Sequence, residues 1–164
     1  MSEYRLFLHR RVERALESYL KTQVKDGSMR IYRSADMAAR EYPCAVCRVF
    51  SSHRFRGELY AAQRILAAVR IMVEYADGIS DAANVIKEFE DTEELAVSYV
   101  QNALMTTDLA AQLNAIGIPG ITFSLAHIGD DSSMPTLAES EEVENVSVVQ
   151  IPLVLIAGPV EITS

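Results

Sequence analysis

Residues 145–157 have the sequence Asn-Val-Ser-Val-Val-Gln-Ile-Pro-Leu-Val-Leu-Ile-Ala. Successive side chains of a β-strand point to opposite faces, and in this stretch both alternating sets are apolar. One set consists of Val149, Ile151, Leu153 and Leu155, and the other of Val146, Val148, Val154 and Ile156. A strand with two apolar faces is buried on both sides. We therefore expect helices of the same chain to cover one face and something else to cover the other, with a neighbouring subunit as one candidate.

This stretch is interpreted as a core strand and not as a membrane anchor. The uncharged segment Val146 to Val160 is shorter than the ~20 residues that a membrane helix needs, and Gln150, Pro152 and Gly158 interrupt it. Pro152 has no N–H to donate to a neighbouring strand, so we expect it at a sheet edge or a bulge. Near the N-terminus, the apolar run of residues 6–8 is too short for the core of a signal peptide, so no export is expected.

The size and composition of the chain predict one folded domain. The chain has 164 residues, which is the length of one ordinary domain and leaves little room for a second hydrophobic core. Hydrophobic residues make up 49% and charged residues 23% of the sequence, a composition typical of globular proteins. We therefore predict that residues 1–164 form a single domain.

Hydrophobic periodicity predicts helices and strands in a mixed order. The predicted helices are residues 4–24, 81–104 and 108–113, and the predicted strands are residues 29–33, 44–51, 64–76, 121–128 and 145–157. Residues 64–76 contain alanines that suit a helix, but their alternation favours a long strand after a hairpin at residues 51–58. The pattern leaves open a break in the second helix near Asp91-Thr92. Together these elements predict an α+β fold with a mixed, mainly antiparallel sheet of about five strands and helices packed on one face.

Cys44 and Cys47 lie in the predicted strand of residues 44–51. Residues three apart on a strand point to opposite faces, so the two thiols are not expected to meet. A zinc site would need a second ligand pair, and the sequence has no second CxxC and no HxxxH. A redox dithiol would open a helix after a strand, which this pair does not. We interpret both as core cysteines of a protein in a reducing compartment, and we predict no metal and no cofactor.

The remaining candidates form no recognisable catalytic or binding motif. His9, His53 and His127 are predicted on a helix, in a loop and at a strand end, and the sequence has no GxSxG motif to nominate a nucleophile. Asp130-Asp-Ser-Ser133 lacks the oxygen spacing and closing Glu of a calcium loop, and is interpreted as a solvated turn. Gly117-Ile-Pro-Gly120 lacks the Lys and Ser or Thr of a P-loop, and is interpreted as a helix stop. We therefore predict that the protein is not an enzyme, and we assign no catalytic, cofactor-binding or metal-binding residue.

Charge is unevenly distributed along the chain. Fourteen of the 15 Lys and Arg but seven of the 23 Asp and Glu lie in residues 1–70, which gives this part a formal charge of +7 and residues 71–164 a charge of −15. The basic residues are interleaved with acidic ones, so the dense basic stripe of a DNA-binding protein is missing. Two interpretations stay open: the basic surface of one copy meets the acidic surface of the next, or both parts fold together and cancel locally.

A small basic group lies in the predicted hairpin of residues 51–58. His53, Arg54, Phe55 and Arg56 combine cations with an aromatic ring, as a phosphate-binding hairpin tip does. A solvated hairpin end has the same composition, and so has a tip that lines a DNA-conducting channel. Whether Arg54 and Arg56 contact DNA is therefore left open.

The order of the predicted elements resembles that of the tail-terminator and tail-completion (head-tail joining) proteins of tailed bacteriophages and prophages. Most of the likeness lies in Glu41-Tyr-Pro-Cys-Ala-Val, Ala68-Val-Arg-Ile-Met-Val-Glu-Tyr and Val146-Ser-Val-Val-Gln-Ile-Pro-Leu. The likeness covers nearly the full chain but is one of pattern, so no functional residue is transferred from the family. The predicted helix of residues 81–104 is longer than the single helix expected of the family, which leaves the particular tail or neck role open.

This resemblance implies a structural virion protein that forms a ring, commonly of six subunits, at the end of the tail tube. Its expected partners are further copies of the same chain and other tail or neck proteins, with no membrane partner and with non-specific DNA contact in the lumen left open. The protein would be assembled in the bacterial cytoplasm and located in the virion tail. The alternatives are a nucleic-acid-binding module that uses the basic N-terminal half and, third, a small enzyme with an unrecognised site.

Overall fold

Three helices and five strands make up the described part of this chain in the computed structural model, which describes residues 2–24, 28–34, 41–54, 62–74, 82–129 and 146–158. In chain order the elements are α1 (Ser2–Gln23), β1 (Arg30–Arg33), β2 (Cys44–Arg54), β3 (Gln63–Glu74), α2 (Ala82–Leu104), α3 (Leu109–Ala115), β4 (Thr122–Ile128) and β5 (Val146–Gly158). The fold has the α+β class that the sequence predicts.

The five strands form one mixed, mainly antiparallel sheet, as predicted. Their order is β1-β2-β3-β5-β4, and β1 pairs with β2 in parallel while the other pairings are antiparallel. β3 and β5 pair along their whole length, from Gln63 opposite Ala157 to Glu74 opposite Val146. The apolar stretch near the C-terminus is therefore an interior strand of the sheet over much of its length.

The structure answers two questions that the sequence pattern left open, on residues 64–76 and on the second helix. Of the alanine-containing residues 64–76, residues 64–74 lie in strand β3 and not in a helix, and residues 75 and 76 lie outside the described residues. α2 continues through Asp91 and Thr92 without a break. The helix continues past these polar residues because Ala96 and Val100, in its next turns, are buried in the core. Tertiary packing of this kind stabilises a helix more than local sequence preference does.

β2 is longer than predicted, so His53 lies on a strand and not in a loop. It extends through Ser52 and His53, which the sequence places in a hairpin loop. A register shift between Val49 and Ser51 interrupts the pairing with β3, after which Ser52 pairs with Ile65. Pairing with β3 keeps this polar stretch extended, although its composition is that of a turn.

The ends of α3 follow from the residues at its boundaries. The side chain of Asp108 caps the first turn by accepting a hydrogen bond from the N–H of Ala111 at 3.1 Å. After the helix, Gly117 has a φ of +77°, a left-handed conformation that glycine adopts without steric cost. Its N–H donates to the carbonyl oxygen of Asn114 at 3.0 Å. The prediction of a helix stop at residues 117–120 is therefore confirmed.

One large hydrophobic core joins the helices to one face of the sheet, which we call the core face. On the two central strands the core face consists of Ile65, Ala67, Val69, Ile71 and Val73 of β3 and Ile151, Leu153, Leu155 and Ala157 of β5. Leu16 of α1, Val100 of α2 and Leu113 of α3 belong to the same core. This arrangement is compatible with the prediction that the helices pack on one face.

The opposite face of the sheet, the outer face, has a smaller cluster of its own. It consists of Cys44, Val46 and Met72, with Tyr32, Tyr42 and Val146 packed beside them. None of its members is a described helix residue. Cys47 belongs instead to the large core, so the prediction that the two cysteines point to opposite faces is confirmed.

The two thiols are expected to resist modification while the protein is folded. Cys44 and Cys47 are both free and buried. Burial raises the pKa of the Cys47 thiol, and the negative charges of Glu17 and Glu13 raise it further, so little reactive thiolate forms. We expect a thiol reagent to detect no rapidly reacting thiol in the native protein and both thiols in urea. Native reaction at the rate of a model peptide would contradict this prediction.

The burial of β5 differs between its two halves. In the C-terminal half, Leu153 and Leu155 are buried on the core face, and Pro152 and Val154 are buried on the outer face. In the N-terminal half, Val148 is 37% exposed on the outer face. The C-terminal half of the outer face is therefore buried among the described residues of the same chain, and the expected cover from a neighbouring subunit stays a prediction for the N-terminal half.

The length of β4 explains this difference. Val154 lies in register between Leu66 of β3 and His127 of β4, so it has neighbouring side chains on both sides. The pairing of β4 ends where Ile128 lies opposite Leu153, and no described strand flanks Val148 on that side. Strand pairing, rather than hydrophobicity, thus separates the two halves of β5.

Pro152 lies at the point where β4 ends. The N–H of Gly129 donates to the carbonyl oxygen of Pro152 at 2.9 Å, so the backbone of Pro152 presents its polar groups to the β4 side. The missing N–H of Pro152 therefore removes no hydrogen bond to β3. Pro152 thus lies in an interior strand, opposite Ala68 of β3 and beside the end of β4, so the prediction of a sheet edge or a bulge is met only in that the described part of β4 ends here.

Candidate interaction surface

Arginines from two strands lie on the outer face. Residues that lie opposite each other in paired strands share a face, and β2 and β3 are joined by the pairs Arg48–Ala68, Val46–Arg70 and His53–Arg64. Val46 belongs to the outer-face cluster, and residues of one strand alternate between faces. Arg48, Arg64 and Arg70 therefore all lie on the outer face, and we call these three residues the basic patch.

The three arginines of the basic patch differ in exposure and in contacts. The guanidinium of Arg48 lies over the ring of Phe50, 5.2 Å from its centroid, and this cation–π contact orients the planar group. Arg64 is exposed, whereas Arg48 and Arg70 are half-buried. The small residue Ala68 lies beside Arg48 in register. The basic patch therefore combines a fixed arginine with an exposed one.

The outer face also carries exposed apolar side chains, on β5 beside β3 and on β4 one strand further away. Val148 of β5 is 37% exposed and Leu125 of β4 is 40% exposed. Val148 lies opposite Met72 of the outer-face cluster, and Leu125 lies opposite Ile156, so both are on the outer face. We call Val148 and Leu125 the apolar rim. The outer face thus combines positive charge with exposed apolar area.

α2 exposes the opposite charge. Glu90, Asp91 and Glu94 are exposed on this helix, and the neighbouring Leu95 is 53% exposed. We call these four residues the acidic ridge. Like the outer face, the ridge combines one sign of charge with an exposed apolar side chain, but here the charge is negative.

Two kinds of contact hold α2 on the core-face side of the sheet. Ala96 and Val100 of α2 belong to the large core. Glu93 accepts a hydrogen bond from the hydroxyl of Ser147 at the start of β5. The buried side of the helix therefore faces the sheet, and the acidic ridge points away from it.

The interface between α1 and β2 contains a histidine beside a serine. The Nε2 of His9 lies 2.9 Å from the Oγ of Ser52, across 43 residues of sequence. A serine within hydrogen-bond reach of a histidine is one part of a nucleophile–base pair, but Ser52 is 7% exposed and lies between helix and sheet. Sequence reasoning missed this contact because it depends on the extension of β2 beyond its bulge.

Gln63 is expected to be a position at which the protein can be stabilised. Its side chain is 2% exposed, and its Oε1 has no hydrogen-bond partner among the residues that the structure describes. A buried polar atom without a partner costs about 1–3 kcal/mol, and methionine has a similar length without the amide. We expect Gln63→Met to raise the free energy of unfolding by about 1 kcal/mol, measured by urea denaturation.

A matched control for Gln63 is Gln112, which is exposed on α3. Gln112→Met is expected to change the free energy of unfolding by less than about 0.5 kcal/mol. If Gln63→Met lowers stability, the amide of Gln63 makes a favourable interaction and the prediction is wrong.

Glu13 is a second buried polar residue, and its contacts are long-range. Its side chain is 6% exposed. Its Oε1 accepts hydrogen bonds from the hydroxyl of Ser34 at 2.7 Å and from the N–H of Val49 at 3.0 Å. In the sequence Glu13 is one of the acidic residues interleaved with arginines, and nothing local predicts its burial. Glu13 therefore has a structural role: its hydrogen bonds connect α1 to β2 at the register shift.

The other candidates from the sequence are not brought together. His53 and His127 are exposed, on β2 and on β4, and Arg54 ends β2. The rest lie outside the described residues: Phe55, Arg56 and residues 130–144, which include Asp130-Asp-Ser-Ser133. In the part of the chain that the structure describes, no group of three or more His, Cys, Asp and Glu side chains could hold a metal ion. The helices in these ranges are all too short or too polar to cross a bilayer.

Comparison with known proteins adds no family to this description. Neither a scan against protein-family models nor a search of curated proteins finds a significant match. The surfaces of the chain itself are therefore the basis for a functional proposal.

Proposed function

We propose that this protein is a structural subunit of a bacteriophage or prophage tail, of the tail-terminator or tail-completion type, and that it forms a ring at the end of the tail tube. The observation that carries the proposal is the outer face, where the basic patch shares one sheet surface with the exposed Val148 and Leu125. Apolar area bordered by charge is typical of a protein contact. The resemblance of the element order to tail proteins supports this kind of assembly over others.

Two oppositely charged surfaces on one subunit favour a head-to-tail arrangement. Contacts between two different surfaces of identical subunits are heterologous, and they close into a ring when the rotation per subunit permits. A ring of this kind, with six subunits as the common number in the family it resembles, would present its two ends to other tail or neck proteins. It would be assembled in the bacterial cytoplasm and located in the virion tail.

The test is assembly of the purified chain, alone and with tail tubes isolated from the phage or prophage that encodes it. We expect native mass spectrometry at rising concentration to detect multiples of the single-chain mass. Negative-stain electron microscopy should show closed rings or caps at tube ends. A chain that stays monomeric and does not bind tube ends would rule out the proposal.

A nucleic-acid-binding module is the second candidate, because the Arg48 guanidinium and the Phe50 ring lie together on the outer face. Arginines and aromatic rings bind phosphates and stack on bases. A protein that neutralises 6–10 phosphates loses about 10³–10⁵ in affinity between roughly 50 and 200 mM salt. A DNA titration at these two concentrations separates the candidates: the tail proposal expects weak binding at both, and a steep loss from a tight complex would favour the module.

A further inference from the structure

We propose that neighbouring copies contact each other through the acidic ridge of one copy and the basic patch of the next, so that α2 of the first copy lies across the outer face of the second. This inference rests on the proposed function and specifies the contact that the ring uses. Its occupant is a second copy of this chain, and its chemistry is that of carboxylates facing guanidinium groups beside exposed apolar side chains.

Charge complementarity is the first argument. Glu90, Asp91 and Glu94 are exposed on α2, and the ion pairs of the described residues use Glu17 and Glu41 instead of these three carboxylates. Surfaces of opposite potential attract and fix their relative orientation, whereas like charges facing each other are unfavourable. Two copies therefore repel when ridge meets ridge or patch meets patch, and attract when ridge meets patch.

Apolar area is the second argument. Leu95 in the acidic ridge is 53% exposed, and Val148 and Leu125 of the apolar rim are 37% and 40% exposed. Burial of such side chains against each other is favourable because it removes apolar area from water. Both surfaces therefore combine exposed apolar side chains with charge, of opposite sign on the two. A helix on the outer face would also supply the cover that the N-terminal half of β5 lacks among the described residues.

The placement of the two surfaces on one subunit excludes a contact within the chain. α2 packs on the core face through Ala96 and Val100, and its acidic ridge faces away from the sheet. The basic patch lies on the opposite side of the same sheet. Ridge and patch of one chain therefore cannot meet, and the contact must join different copies. Since it uses two different surfaces, it repeats from copy to copy into a ring or an open filament.

Charge reversal of each surface tests this contact. The double variant Arg48→Glu/Arg64→Glu has two acidic surfaces, and the double variant Glu90→Arg/Glu94→Arg has two basic surfaces. We expect each variant alone to dissociate with a dissociation constant raised at least about tenfold, measured by analytical ultracentrifugation. An equimolar mixture should assemble again into alternating complexes, because every surface then meets its opposite charge on the other variant.

A matched control carries the same change of charge on another surface. Arg10 and Arg14 are both exposed on α1, and Arg10→Glu/Arg14→Glu is expected to assemble like the wild type. Circular dichroism and thermal denaturation establish that each variant folds. Because Arg48 also contacts the Phe50 ring, the single variant Arg64→Glu provides a second test that leaves this contact intact, and it should weaken assembly by about threefold or more.

The outcomes separate this contact from the proposed function. If the double variants assemble like the wild type, or if their mixture fails to recover assembly, the contact is overturned while rings of the wild-type protein still support the tail proposal. If the wild-type chain remains monomeric both alone and on tail tubes, the contact and the tail proposal are overturned together.

Discussion

Leu153→Ala is expected to lower the free energy of unfolding by about 2–5 kcal/mol. Leu153 is fully buried on the core face of β5, in register between Ala67 of β3 and Ile128 of β4. The substitution removes buried apolar atoms and leaves a cavity. Since the neighbour on β3 is already an alanine, few atoms can move into the space, so we expect a loss in the upper part of this range.

Urea denaturation followed by circular dichroism measures this effect. All variants should be compared at one protein concentration, because assembly adds to apparent stability. Val148→Ala on the same strand is the control: its side chain is 37% exposed, so the expected loss is below about 1 kcal/mol. Equal losses for the two substitutions would contradict the difference between the two halves of β5.

These two residues also show what sequence periodicity predicts and what it does not. Alternation correctly assigns Leu153 and Val148 to opposite faces of one strand, and it likewise separates Cys44 from Cys47. Periodicity does not say what covers each face. Val154 is buried and Val148 is exposed on the same outer face because β4 ends between them, and the end of β4 depends on strand pairing that no local pattern encodes.

The candidate surface was predictable in its charge but not in its geometry. The sequence separates a basic N-terminal part from an acidic C-terminal part, and it raises contacts between copies as one interpretation. Arg48 and Arg64 come to lie on the same face only through the register of β2 with β3. The hydrogen bond between His9 and Ser52 spans 43 residues and requires β2 to continue past its bulge. Contacts of this kind are set by tertiary structure, so the sequence alone does not locate them.

Glu13→Ala is expected to lower the free energy of unfolding by about 2–3 kcal/mol. The carboxylate of Glu13 is the acceptor for the buried N–H of Val49 at 3.0 Å and for the hydroxyl of Ser34 at 2.7 Å. Alanine leaves the N–H of Val49 buried without a partner, at a register shift where no strand bond is available to replace it. Ser34 is exposed, so its hydroxyl can bond to water, and most of the loss comes from Val49.

Two further substitutions separate hydrogen bonding from charge at this position. Glu13→Gln keeps an acceptor oxygen without the negative charge, so we expect about half the loss of Glu13→Ala in the same urea denaturation. Glu17 lies one turn along α1 and pairs with Lys21 and Arg33 at 3.3 and 3.2 Å near the surface, and Glu17→Ala should cost less than about 1 kcal/mol. A cost for Glu17→Ala as large as that for Glu13→Ala would mean that the charge of this side of α1, and not the hydrogen bond to Val49, holds α1 on β2.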